Sequence, residues 1–131
     1  MVSCDRRLRQ GILDAFAEHY LRRVLRARER ATRGTAVVGF VGADVPRELI
    51  ASAGAQPLRL HSQSGPPSED AVRLLGEATD PMAHSILNQV LANELDFLTG
   101  ILLSRDCEAS LHLFYVLRQL AAAGRECRPS T

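Results

Sequence analysis

The chain has 131 residues, of which 46% are hydrophobic and 24% are charged, a balance that suits one globular domain and excludes a disordered tail. Its 16 basic and 15 acidic residues leave a formal net charge of +1, so the total charge does not indicate nucleic-acid binding or a membrane surface. No stretch reaches the ~20 apolar residues that span a bilayer, and the first residues lack a signal-peptide core. We therefore expect a cytoplasmic protein.

The first 34 residues predict one long helix, from Asp5 to about Thr32. Apolar residues recur every four positions and form a stripe consisting of Leu8, Ile12, Phe16, Tyr20 and Val24, widened by Leu13, Leu21 and Leu25. Nine arginines and four acidic residues give this segment a net charge of about +5, against about −4 for the remainder. We interpret residues 1–34 as a basic amphipathic helix that packs across a sheet or against a partner.

After Gly34, short apolar runs alternate with helical patterns. Strands are predicted at 35–41, at 57–61 and within 98–104. Helices are predicted over 47–52 and 69–78, from Pro81, and from Asp106 or Cys107 to Ala123. This alternation indicates right-handed crossovers between parallel strands. The predicted fold class for residues 35–124 is a small three-layer Rossmann-like α/β lobe with strand order 2-1-3, followed by a tail at 125–131.

The three cysteines, Cys4, Cys107 and Cys127, are an odd number without C-x-x-C spacing. This pattern fits neither a disulfide framework nor a zinc knuckle, and reduced thiols are expected.

Candidate chemical residues lie near the ends of predicted strands and helices. Asp44 follows the first strand in a glycine turn, where it is either a base or a helix cap; G-x-G-x-x-G and P-loop spacings are absent, so no nucleotide site is expected. Cys107 follows the third strand, where a helix N-terminus favours a thiolate, and a buried, inert cysteine is the alternative. His84, near a helix start, suits acid/base chemistry, whereas His19 and His112 are predicted to be packing residues.

Three segments resemble one family in the order in which that family has them. Residues 39–60, GFVGADVPRELIASAGAQPLRL, match V/T-P-x-E-L/I-I followed by A-A-G-x-x-P-V/L-R-L/V. Residues 95–101, LDFLTGI, are similar to Y/L-D-F/G-L-D-G-I/V. Residues 105–109, RDCEA, and 115–118, YVLR, are similar to a strand-end C-D-S/A and to Y-x-L/W-R/K. The chain thus resembles the 2-hydroxyacyl-CoA dehydratase and benzoyl-CoA reductase subunit family over about residues 35–119.

The resemblance implies a two-lobed α/β subunit that pairs as a heterodimer and acts on an acyl-CoA thioester. In that family three cysteines bind a [4Fe–4S] cluster, which receives electrons from an ATP-dependent activator. Here Gly42 and His84 stand at the first two ligand positions, and the third belongs to a second lobe that this sequence does not reach. Cys107 matches a position that is not an iron ligand. We therefore expect no cofactor and no metal in the isolated chain.

Three hypotheses of function follow. The first is an accessory, non-redox subunit that docks a fuller dehydratase-like partner or self-associates, with a possible acyl or acyl-CoA ligand. The second is an iron-independent enzyme that uses Asp44, His84 and Cys107 on an acyl or carbonyl substrate. The third is partner or nucleic-acid binding through the arginine helix, with nucleic acid the less favoured ligand.

Overall fold

The computed structural model describes residues 6–124, so Cys4, Cys127 and the predicted tail at 125–131 lie outside the described residues. Six helices and three strands follow one another in the described part of the chain: α1 Arg6–Leu21, α2 Arg23–Thr32, β1 Val37–Val41, α3 Arg47–Ser52, β2 Gln56–Arg59, α4 Glu69–Leu75, α5 Pro81–Leu91, β3 Gly100–Leu103 and α6 Glu108–Ala122.

The three strands form one parallel sheet in the order β2-β1-β3. The predicted α/β class and strand order are therefore confirmed, with element ends shifted by a few residues. The residues that mark helix ends in the sequence also lie at helix ends in the structure. Ser68 caps α4 by accepting a hydrogen bond from the Ala71 backbone N–H, and Gly34 and Gly54 follow helices with φ values of +88° and +79°.

The central strand β1 is buried on both faces, which explains why its sequence lacks polar alternation. Val37 and Val41 belong to the main apolar cluster, together with Leu58, Ile101 and buried residues of α2, α4, α5 and α6. Phe40 alternates with Val41 and is buried outside that cluster, as is Ile50 of α3. The main core therefore lies on one face of the sheet.

The predicted N-terminal helix consists of two helices that meet at Arg22. Backbone hydrogen bonds from Arg22 N–H to the Glu18 carbonyl and from Arg26 N–H to the Arg22 carbonyl continue the helical pattern through the junction. Only α2 packs on the sheet, where Ala27 is fully buried against the core. Every residue of α1 from Arg7 to Leu21 is exposed. Apart from Tyr20, the apolar side chains of α1 are therefore left largely in solvent within the described part of the chain.

One aromatic contact joins the end of α1 to the sheet. The Tyr20 ring meets the His61 ring edge-on, with centroids 5.8 Å apart, and the Arg23 guanidinium lies 4.1 Å from the Tyr20 centroid. The His61 backbone carbonyl also accepts a hydrogen bond from Gln89 of α5 at 2.9 Å. His61, just after β2, thus connects the α1–α2 junction to the core.

This junction predicts a dependence of stability on pH. Burial and the positive charges of Arg23 and Arg59 hold the pKa of His61 below its ordinary value. As the pH falls below about 6.5, the unfolded chain takes up a proton that folded His61 resists, so the free energy of unfolding falls. We expect urea denaturation to show a smaller loss between about pH 7 and pH 5 for His61→Asn than for the wild-type chain. Equal slopes for the two proteins would contradict this assignment.

Candidate functional site

The carboxyl ends of β1 and β3 meet at a tight turn. Gly42 ends β1 with φ +107°, and a Cβ added there would collide with Ser104 Cβ and approach Asp106 Oδ2 to 2.8 Å. Only glycine tolerates both this backbone conformation and this proximity. Open α/β sheets bind ligands outside the carboxyl ends of their strands where the strand order reverses, and β1 and β3 flank that point here.

Asp106 holds this edge together. Its Oδ2 accepts from the Ala43 backbone N–H at 3.3 Å, and its Oδ1 accepts from the Ser110 hydroxyl at 3.2 Å. The Ala43 N–H chiefly lowers the pKa of the Asp106 carboxyl, and hydrogen bonds from Ser110 and Cys107 add to this effect against an opposing contribution from desolvation. The carboxylate therefore stays ionised and connects the two strand ends. Sequence reasoning did not select Asp106 as a site residue, although an aspartate four residues before a serine at a helix start was a signal for such a bond.

The structure places Asp44 and Cys107 after neighbouring strands. Asp44 is exposed and makes no hydrogen bond to any other described residue; it does not cap α3, whose N-cap is Pro46. Cys107 is the N-cap of α6, as predicted, but it is exposed, so the expectation of a buried thiol is wrong. Its Sγ lies 3.2 Å from the Ser110 hydroxyl.

His84 does not join Asp44 and Cys107 at the ends of β1 and β3. It is only 4% exposed, and its Nε2 donates to the Gly76 carbonyl at 2.9 Å, which links α5 to the end of α4. No hydrogen bond among the described residues joins it to Asp44 or Cys107. The burial of the histidines is the reverse of what their sequence positions suggested: His84 is buried, whereas His19 and His112, expected to pack, are exposed.

His84 lines a cavity of about 380 Å³ between α5 and the segment after β2. Its polar lining residues are Ser62, Gln63, Glu77, Thr79, His84, Ser85 and Asn88. The wall is held by hydrogen bonds from the Gln63 N–H to Ser85 Oγ at 2.7 Å and from the Ser68 hydroxyl to Asn88 Oδ1 at 2.6 Å. The stretch 62–69, SQSGPPSE, has the composition of a loop, but these bonds tie it to α5, which its composition does not indicate.

Several arginines of the N-terminal segment are used within the chain. Arg23 donates to the Tyr20 carbonyl, Arg28 donates to the Glu94 carbonyl at 2.6 Å, and Arg26 donates to His19 Nδ1 at 2.6 Å. A guanidinium that is already bonded has fewer donors left for phosphate groups. This arrangement does not favour the nucleic-acid hypothesis.

Among residues 6–124 no helix is both long enough and apolar enough to cross a membrane. The described residues also contain no group of three or more His, Cys, Asp and Glu side chains arranged to hold a metal ion. No family model matches the chain, and no curated protein matches it.

Gly42→Ala tests the turn between β1 and β3. The positive φ and the collision with Ser104 predict a loss of about 2–4 kcal/mol in the free energy of unfolding. Gly54→Ala is the matched control, because φ is also positive there and a Cβ meets nothing within 4 Å; we expect a loss of about 1 kcal/mol. Equal losses in urea denaturation would show that the approach to Ser104 and Asp106 does not constrain the turn.

Asp106→Asn tests the hydrogen-bonded carboxylate. Because the folded pKa is lowered, the stabilisation is present above the unfolded value of about 3.9 and is lost as the pH falls through the folded value. We expect wild type to be more stable than the variant at neutral pH, and the difference to shrink below about pH 4. Urea denaturation of both proteins from neutral pH to below about pH 4 measures this difference in the free energy of unfolding. A difference that grows on acidification would contradict the assignment.

Proposed function

We propose that this chain is an accessory, non-redox subunit of the 2-hydroxyacyl-CoA dehydratase type, working in the cytoplasm within a larger assembly. The observation that carries the proposal is the apolar face of α1, which consists of Leu8, Ile12, Leu13, Phe16 and Tyr20 with exposed fractions from 48% to 71%. A monomeric protein rarely leaves such a continuous apolar surface in water. A subunit that binds a partner protein would bury this apolar surface in the complex.

The family assignment is supported by the three sequence segments that resemble the dehydratase subunits. Two of them include the strand ends described above: residues 39–60 contain the end of β1, α3 and β2, and residues 105–109 contain Asp106 and Cys107. The non-redox role is supported by Gly42 and His84 at the positions where the family has cluster cysteines. Neither residue is a thiolate, and His84 already donates Nε2–H to Gly76.

An iron-independent enzyme is the second candidate. It is favoured by Asp44 and Cys107, which follow neighbouring strands at the edge where α/β folds bind ligands. It is weakened by His84, which is buried against Gly76 and lines a cavity that neither Asp44 nor Cys107 borders. A general base for the thiol is therefore not supplied by His84.

The proposal is tested by oxygen-free purification of the chain, alone and co-expressed with the proteins encoded by its neighbouring genes, among which a fuller dehydratase-like partner is sought. We expect no stoichiometric iron or acid-labile sulfide in the isolated chain, and a stable complex whose iron accompanies the partner. The matched control is the partner expressed alone, which should contain the same iron per partner chain.

Two outcomes would contradict the proposal. Stoichiometric iron in the isolated chain would mean that residues other than the family's cysteines bind a cluster. Failure of the co-expressed chains to co-purify, with both proteins folded by circular dichroism, would exclude the accessory role.

A further inference from the structure

The cavity that His84 lines has the size and the walls of a small-molecule site. One wall is α5, a second is the loop over residues 62–67, and the third is the turn over residues 76–79 that follows α4. Its volume of about 380 Å³ lies within the range of about 300–1,000 Å³ that ligand pockets occupy, and equals the liquid volume of about a dozen waters. A molecule of up to roughly that number of heavy atoms therefore has room there.

Hydrogen bonds hold the three walls in place. The two bonds described above tie α5 to the loop. The bond from His84 Nε2 to the Gly76 carbonyl ties α5 to the turn, and the Thr79 hydroxyl closes the turn by donating to the Leu75 carbonyl at 2.6 Å. A ligand that enters this cavity meets polar groups whose positions are already fixed, and this lowers the entropy cost of binding.

His84 offers the cavity an unused acceptor. Because a carbonyl can only accept, the bond to Gly76 places the ring proton on Nε2 and leaves Nδ1 of the neutral ring with a lone pair. Nδ1 has no hydrogen bond to a described residue. Among the described residues that are not exposed, however, only Arg23 Nε and Gln56 Oε1 are fully enclosed without a partner. Nδ1 of the buried His84 therefore reaches open space, and the cavity is the open space that this ring lines.

Two further side chains at the cavity have free hydrogen-bonding capacity. Glu77 is exposed, and its carboxylate makes no hydrogen bond or ion pair with another described residue. Asn88 Oδ1 accepts twice from Ser68, from the backbone N–H at 3.2 Å and from the hydroxyl at 2.6 Å, so the Nδ2 group remains as a donor. The cavity thus presents a carboxylate and a ring nitrogen that accept hydrogen bonds and one amide that donates.

The charge around the cavity favours a cation. Residues 62–98 contain six acidic residues and one arginine, a net charge of −5, and that arginine is bonded to Asp70 at 2.7 Å. The lining contains no arginine, so nothing in it matches a phosphate or a carboxylate. The described residues also contain no group of three or more metal-binding side chains. An ammonium group, with its N–H donors, fits these acceptors better than a metal ion does.

We propose that this cavity binds a small aliphatic amine that carries a hydroxyl group. The ammonium donates to the Glu77 carboxylate and to His84 Nδ1, and the hydroxyl accepts from Asn88 Nδ2. The carbon chain between them packs on the apolar part of the lining, at Val72 and Pro81. This inference does not depend on the proposed function, because no residue of α1 lines the cavity.

The first test is an NMR titration of the full chain with three probes of the same length. We expect 4-amino-1-butanol to bind with a Kd on the order of 1 mM, and to shift the amide signals of residues 62–65, 76–79 and 84–88. The uncharged 1,4-butanediol should bind at least about tenfold more weakly, because it lacks the ammonium. The anion 4-hydroxybutanoate should not bind, because its charge has the wrong sign.

The second test uses variants of the lining with 4-amino-1-butanol as the probe. Glu77→Gln removes the carboxylate charge from an exposed position and should raise the Kd about tenfold. The matched control is Glu69→Gln, which makes the same charge change in the same acidic segment but off the lining, and should change the Kd less than about twofold. His84→Gln keeps a donor for the Gly76 carbonyl and removes Nδ1, so it should weaken binding about fivefold. Urea denaturation checks that each variant is folded.

Four results would overturn the inference. One is the absence of amide shifts with 4-amino-1-butanol up to about 10 mM. A second is equal binding of the diol, which would mean that charge is not recognised. A third is an equal loss in Glu69→Gln and Glu77→Gln, which would indicate a diffuse attraction instead of a contact in the cavity. The fourth is wild-type affinity in a folded His84→Gln variant, since the ring would then not hold the ammonium.

Discussion

Leu60 and Leu98 pack so closely over Gly39 of the central strand that a Cβ there would come within 2.8 Å of Leu98 and 3.2 Å of Leu60. The rest of the lobe depends on this close approach. It seats the segments that lead out of β2 and into β3 directly on β1, and it lets a sheet of strands only four or five residues long anchor a core that includes α2, α5 and α6. Because the sheet is so short, one helix layer covers its main face, and α1 reaches it only at its end, where Tyr20 meets His61.

The polar groups of this short-stranded lobe are divided between two separate places. The turn at Gly42 and the carboxylate of Asp106 connect the ends of β1 and β3, whereas Ser85 and Asn88 of α5 hold the loop that follows β2. His84 belongs to the second place, through its hydrogen bond to Gly76. A catalytic site containing Asp44, His84 and Cys107 would need side chains from both of these separate places. A surface that only binds a partner does not need these side chains to lie together.

The elements and strand order could be predicted because local signals and burial agree: VVGFV is apolar on both faces, Ser68 and the glycines mark helix ends, and the alternation of strands and helices indicates a parallel sheet. The roles of individual residues could not be predicted from the sequence. His19 and His84 have similar helical neighbours in the sequence, and only the packing of α4 against α5 decides which one is buried. Likewise, the apolar stripe of α1 resembles any core-facing stripe, because periodicity identifies an apolar face but not the surface that covers it.

The strand order also determines how the chain acquires its structure. β1 finds β2 fewer than twenty residues further on, through the short helix α3, but β3 lies about sixty residues beyond β1. One edge of an apolar central strand therefore stays unpaired until α4, α5 and the segment before β3 have formed. During synthesis, the edge of residues 37–41 stays unpaired until Gly100–Leu103 has emerged, so we expect the pairing of β1 with β3 to be the slow step of folding.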